Sequence, residues 1–281
     1  MFLGTFKKIR QLFNLFVIAV LAAAFSVSAY GKTSDYIRLQ NAGIIHIGVT
    51  TNIHGFSVQD PVTGEFSGFE IDLANLIASD LGFQANFIPV NYDERFEKLD
   101  TGDVDILIAS VTINEQRKRL YDFSIPYHGE YTSVLALRSS KINNISGLLG
   151  KKVGSLEGSY SALMLVKEMI NRKLIEYENF SENDFDVESW DTGVEFVLFD
   201  NFNDSVKKLD NGEIAGIVFD RTALNKYKSN TRVVIKDKIS PEPFGICCRK
   251  GSDLIPKLNY IIKHYLMDVT IDRLEEKYGI D

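Results

Sequence analysis

The stretch "KLDTGDVDILIAS" (98–110) recurs later in the chain as "KLDNGEIAGIVFD" (208–220). Each copy reads as a helix end, a glycine turn and an apolar strand. Lys98 matches Lys208, Leu99 matches Leu209, Asp100 matches Asp210, Gly102 matches Gly212, and Ser110 matches Asp220. A helix-turn-strand unit can arise by convergence, but a run this long and this well in phase points to two lobes on one plan. The fold class expected is therefore α/β, with two lobes, each a mainly parallel sheet flanked by helices.

The rest of the chain follows the same alternation. "IIHIGVT" (44–50), "QANFIPV" (84–90) and "VDILIAS" (104–110) read as strands. Between the first two, Phe69, Leu73, Leu76, Ile77 and Leu81 fall on one face of a helix that closes on Gly82. The pattern resumes after "VLALRSS" (134–140), with strands at 151–156, 195–200, 214–219 and 232–237 and a helix at 160–174. The polar stretch 175–194 has no clear period, and Trp190 within it has no readable role. One strand at "FGICCRKG" and two helices complete the tail.

The first thirty residues differ from all of this. Lys7, Lys8 and Arg10 precede the apolar run "LFNLFVIAVLAAAF" (12–25), and "SVSA" ends at a plausible cleavage point after Ala29. Residues 1–29 are thus read as a signal peptide, with an uncleaved anchor as the alternative. The chain carries a net charge of −7, and removal of these three cations makes it more acidic still. No basic block offers a surface for nucleic acid. The two cysteines, Cys247 and Cys248, are adjacent and far from the cleavage point, so no lipid-anchoring cysteine follows it. Neighbours on a strand point to opposite faces, which predicts buried free thiols rather than a disulfide. The exported chain is expected to move freely in the periplasm.

Ligands of open parallel sheets sit beyond the carboxyl ends of the strands, where both copies of the echo deliver a polar residue. In "TINEQRKRLYDFSIPY" (112–127), Thr112 and Glu115 fit a capping box and predict a helix starting at Thr112. Ile113, Arg117 and Leu120 would then share its buried face, while Lys118 and Arg119 turn to water. An inward guanidinium needs a partner, either an internal carboxylate or a bound anion, and its fork suits a carboxylate. Asp220 in the second copy reads either as an ordinary N-cap or as a partner for an ammonium group. "LEGSYS" (156–161) offers Ser159, Ser161 and free backbone N–H groups, though an ordinary polar turn has the same text. Arg117 and Asp220 together would read the two ends of an α-amino acid. The four histidines, His46, His54, His128 and His264, lack metal-ligand spacing. No metal and no cofactor are expected.

Three blocks carry a resemblance: "GEFSGFEIDLANLIASDLG" (64–82), "GDVDILIASVTINEQRKRLYDFSIPY" (102–127) and "PFGICCRKGSDL" (243–254). In order and spacing the chain resembles the extracellular solute-binding proteins of family 3, the amino-acid receptors of bacterial ABC importers. The resemblance implies the two-lobed type II periplasmic binding-protein fold, with two hinge strands and hinge closure on the ligand. Lobe 1 would comprise residues 30–131 plus 242–281, and lobe 2 residues 132–241. It places the carboxylate-gripping arginine on Arg117, the small polar positions before it on Ala109, Ser110 and Thr112, and the ammonium-binding acid on Asp220. The lobe 2 loop falls on Leu156, Gly158, Ser159, Tyr160 and Ser161, and an aromatic platform on Tyr92.

Two positions depart from the family's pattern. Thr50 stands where relatives that take basic or polar amino acids often have Asp, and Ile53 stands where they have a stacking aromatic. Glu157, beside the lobe 2 loop, is the remaining group that could meet a cation. The function implied is capture of an amino acid, or a similar zwitterion, by a monomeric, non-catalytic receptor that delivers it to a membrane ABC permease. The alternatives are a periplasmic dehydratase-like enzyme on the same scaffold, with Glu157 as acid or base, and a ligand-sensing partner of a membrane receptor.

Overall fold

A computed structural model describes residues 34–280; the expected signal peptide lies outside them. The chain begins with α1 (Asp35–Ala42) and β1 (Ile44–Val49), then the short strands β2 (Asn52–Ile53), β3 (Ser57–Gln59) and β4 (Phe66–Ser67). Next come α2 (Phe69–Leu81), β5 (Gln84–Pro89), α3 (Arg95–Thr101), β6 (Ile106–Leu107), α4 (Glu115–Leu120) and β7 (Tyr121–Phe123). The second half contains β8 (His128–Leu137), β9 (Lys151–Leu156), α5 (Ser161–Asn171), β10 (Val194–Phe199), α6 (Phe202–Asp210), β11 (Gly216–Asp220), α7 (Arg221–Asn225) and β12 (Arg232–Val234). It closes with β13 (Ile239–Phe244), β14 (Cys247–Arg249), α8 (Ile255–Met267) and α9 (Thr270–Tyr278).

Two large sheets result. The first has the order β5-β1-β6-β14-β7, and the second β10-β9-β11-β8-β12, with β13 paired to β8. The βαβ units are parallel, β5 and β6 flanking β1, and β10 and β11 flanking β9. β7, β8, β12, β13 and β14 add antiparallel pairings at the edges. Residues 216–220 of β11 are all buried, as a strand with helices on both faces must be. The apolar face of α2 buries Phe69, Leu73, Ala74, Ile77 and Leu81, and the helix stops at Gly82 with φ 82°.

The chain enters the second sheet along β8 and leaves it along β13, and these strands run antiparallel with Glu130 opposite Glu242 and His128 opposite Phe244. The boundaries expected at 131/132 and 241/242 fall inside this strand pair. Its residues 128 and 244 also close a ring of aromatics with Phe56 and Phe69. Cys247 and Cys248 are buried free thiols in β14.

The unread stretch 175–194 folds around an aromatic cluster. Trp190 stacks on Tyr177 at 5.1 Å and contacts Phe180 and Phe185, while its indole N–H donates to the Thr192 carbonyl. Its polar residues hid the core because the aromatics there follow neither a helical nor a strand period. Among the described residues no helix is long and apolar enough to cross a membrane.

Candidate functional site

The carboxyl end of β6 carries the first group of residues. Ser110 has φ 50°, a left-handed conformation that costs a side-chain-bearing residue about 1–2 kcal/mol. Glu70, at the start of α2, holds it there. Its Oε1 accepts from the Ser110 N–H at 2.6 Å, the Ser110 hydroxyl at 3.1 Å and the Tyr127 hydroxyl at 2.6 Å. Burial pushes the Glu70 carboxyl above its ordinary range against those hydrogen bonds. Its Oε2, the Thr50 hydroxyl and the Tyr92 hydroxyl are buried without a hydrogen-bond partner among the described residues.

Arg117 points inward, but not by the route expected. The helix begins at Glu115, not Thr112; the N-cap is Asn114, whose side chain accepts from the Arg117 N–H at 2.8 Å. Thr112 instead bridges to Phe244, because the chain is still extended there. Leu120 is 64% exposed, so the face shared with Arg117 is not a buried one. What draws the guanidinium in is polar and aromatic. It donates to the Thr112 carbonyl at 3.0 Å and lies 5.2 Å from the Phe96 ring centroid and 5.6 Å from that of Tyr160. No carboxylate among the described residues pairs with it. Desolvation, with repulsion from Arg95, pushes its pKa down to about 9.

Arg95 was not foreseen. It is 1% exposed, donating from Nη1 to the Ala109 carbonyl at 2.8 Å and from Nη2 to the Gly158 carbonyl at 3.4 Å. The signal was in the text: Arg95 and Leu99 are i and i+4 on α3, and Leu99 is buried. Tyr92 lies under it, with the guanidinium carbon 4.3 Å from the ring centroid, and meets Phe219 of the second sheet edge-on at 5.6 Å.

The second sheet supplies the opposite wall. Between β9 and α5, Gly158 has φ 68°, and a Cβ there would lie 2.5 Å from the Tyr92 carbonyl, so only glycine allows this approach. Ser159 pairs with Ser155 at 3.4 Å, Tyr160 donates its hydroxyl to Glu182 at 2.6 Å, and Ser161 is buried as the first residue of α5. Asp220, at the end of β11, occupies the N-cap position of α7, yet its carboxylate makes no capping bond. Burial, and then the nearby Glu130 and Glu242, raise its carboxyl well above the ordinary range.

Leu156, Ser159 and Tyr160 join Arg117, Phe185 and Val187 around a cavity of about 330 Å³. Ala109, Ser110, Thr112, Tyr92, Thr50 and Asp220 are buried outside its lining. Ile53 is fully buried in the hydrophobic core. Glu157 is exposed; only its backbone N–H is engaged, by the Phe199 carbonyl, so the group expected to meet a cation faces solvent. No cluster of metal-ligating side chains occurs among the described residues.

Two α/β units joined by the β8–β13 strand pair are the architecture of a two-lobed solute-binding protein of the type II periplasmic class. The chain belongs to the bacterial extracellular solute-binding proteins, family 3, whose sequence model matches residues 45–281. It is 30% identical to the ABC transporter glutamine-binding protein GlnH of Bacillus subtilis (strain 168), over 97% of both chains. Among solved structures it is similar to an ancestral arginine-binding protein bound to arginine, with TM-score 0.71 and 29% identity over 84% of this chain and 98% of that one. It is also similar to an ancestral amino-acid-binding protein described as a precursor of cyclohexadienyl dehydratase, with TM-score 0.73 and 26% identity over 87% and 99%.

Proposed function

We propose that the chain is a monomeric periplasmic receptor that takes an amino acid between lobes 30–131 plus 242–281 and 132–241 and delivers it to an ABC permease. The observation that carries this reading is a half-buried guanidinium, Arg117, and a buried carboxyl, Asp220, neither of which has a side-chain counter-ion among the described residues. An α-carboxylate restores the counter-ion that Arg117 lacks, and an α-ammonium draws Asp220 back to its ionised form. Each charge-assisted hydrogen bond is worth about 1.5–3 kcal/mol, so two or three with apolar burial reach about −8 kcal/mol, a micromolar Kd.

The side chain is proposed to be polar and uncharged. The positions where relatives carry a carboxylate or an aromatic hold Thr50 and Ile53, Glu157 faces solvent, and the Thr50 and Tyr92 hydroxyls, without a hydrogen-bond partner among the described residues, are donors and acceptors of the kind an amide needs. A thermal-shift panel of amino acids tests both parts. L-Glutamine at 100 times its Kd is expected to add about 2.7 kcal/mol of stability, and L-arginine less. A flat response to every amino acid would remove the reading.

The similarity to a dehydratase precursor keeps an enzyme as the second reading. The exposure of Glu157, the acid or base that reading relied on, weighs against it. Saturable binding with no product from carboxylated ring substrates is the expected result.

A further inference from the structure

Arg95 is a buried cation with no carboxylate partner among the described residues, and it lies outside the residues expected to touch a ligand. Its two terminal nitrogens face different lobes. Nη1 bonds the Ala109 carbonyl, at the end of β6, and Nη2 bonds the Gly158 carbonyl, in the loop after β9. The Tyr92 ring supports the guanidinium from one side. One N–H on each arm of the fork is therefore committed to a carbonyl, while the buried Nε–H has no partner among the described residues. The contact also depends on Gly158, since a side chain there would collide with the backbone of Tyr92 and Asp93 and hold the loop away.

We propose that Arg95 is a positioning residue that clasps the two lobes together, with its bond to the Gly158 carbonyl made only when they are shut. When they part, that N–H and that carbonyl return to water, while the bond to Ala109 stays within lobe 1. The clasp thus adds to the stability of the closed form irrespective of which amino acid lies inside. It slows ligand escape, and it sets the Ala109–Thr112 segment in register with the loop that faces it. Only the kinetic half of this inference rests on the amino-acid-receptor reading.

The test measures closure with and without ligand. His54 and Tyr227 come together across the lobes with ring centroids 5.6 Å apart, away from Arg95. A His54→Cys/Tyr227→Cys pair, treated with a short bifunctional thiol reagent, cross-links at a rate proportional to the closed fraction. Adding Arg95→Met is expected to slow ligand-free cross-linking about tenfold, the equivalent of one charge-assisted hydrogen bond. Gly158→Ala is expected to slow it likewise with Arg95 intact. The double variant should be no slower than either single one. An unchanged rate in Arg95→Met, or additive losses, would overturn the clasp whatever the protein binds. In stopped-flow experiments with L-glutamine and L-arginine as probes, Arg95→Met should raise the dissociation rate about tenfold for whichever binds and change association less than about twofold. Selective loss of L-glutamate binding, with cross-linking untouched, would make Arg95 an anion receptor instead. If no amino acid binds at all, the receptor reading fails, and the ligand-free cross-linking still decides the clasp.

Discussion

At the scale of single residues, the proposed site depends on a guanidinium and a carboxyl that have no side-chain counter-ion among the described residues. Arg117→Ala should abolish amino-acid binding by calorimetry, at least a hundredfold, while circular dichroism stays unchanged, because among the described residues the guanidinium hydrogen-bonds only a local carbonyl. Asp220 makes a sharper prediction. Its carboxyl is held above the ordinary range when the site is empty, and an arriving ammonium favours the ionised form. Binding therefore releases a proton, and affinity should climb as pH rises through the empty carboxyl's value. Asp220→Asn should bind weakly and lose that slope, which titrations in two buffers of different ionisation enthalpy would reveal. In the sequence, the strand end of the second copy singled out Asp220, whereas Arg117 was singled out by a helical face that the structure does not bury. Arg95 was equally written there, one turn from Leu99, but a cation on a short helix reads as solvated unless its partners across the lobes are known. Glu157 misled in the opposite sense, since adjacency to a site loop says nothing about which way a side chain turns.

At the scale of elements, the strand ends and turns were easier to read than the helix starts. β9 matches its expected bounds, and α2 ends on its expected glycine. α4 starts three residues late because Thr112 is still paired to Phe244, a partner 132 residues away that local spacing does not register. Asn114→Ala should consequently cost about 1 kcal/mol of stability and weaken binding several-fold, since the N–H it caps belongs to Arg117 itself. Denaturant titration and calorimetry on the same variant measure the two effects. A second element-level prediction concerns β8 and α9. His128 bonds Glu275 through Nδ1 at 2.6 Å. Burial disfavours its imidazolium, but Glu130 and Glu275 outweigh that and raise the pKa from 6.5 to about 9. The folded chain holds the proton more tightly, so this contribution is complete below pH 6.5 and fades as pH rises through 9. The melting temperature should fall across that window, by an amount equivalent to roughly 3 kcal/mol, and Glu275→Gln should flatten the fall.

At the scale of the whole molecule, the internal echo was enough to announce two sheets, because each unit needs its own apolar strands and each repeats the same turn. It did not announce how closely the sheets approach. The approach of the Gly158 loop to Tyr92 depends on one absent side chain, at Gly158, and is accompanied by the aromatic contact of Tyr92 with Phe219. Small-angle scattering should show a smaller radius of gyration on adding L-glutamine, and no contraction for Arg117→Ala. The stretch 182–187 has a further consequence. The chain contains one tryptophan, and it stacks within the aromatic cluster whose Phe185 forms part of the cavity wall beside Arg117. A molecule entering that cavity meets Phe185, which packs against the one indole in the chain. The protein therefore carries a built-in fluorophore, so occupancy is readable from its native emission, with no dye or label attached.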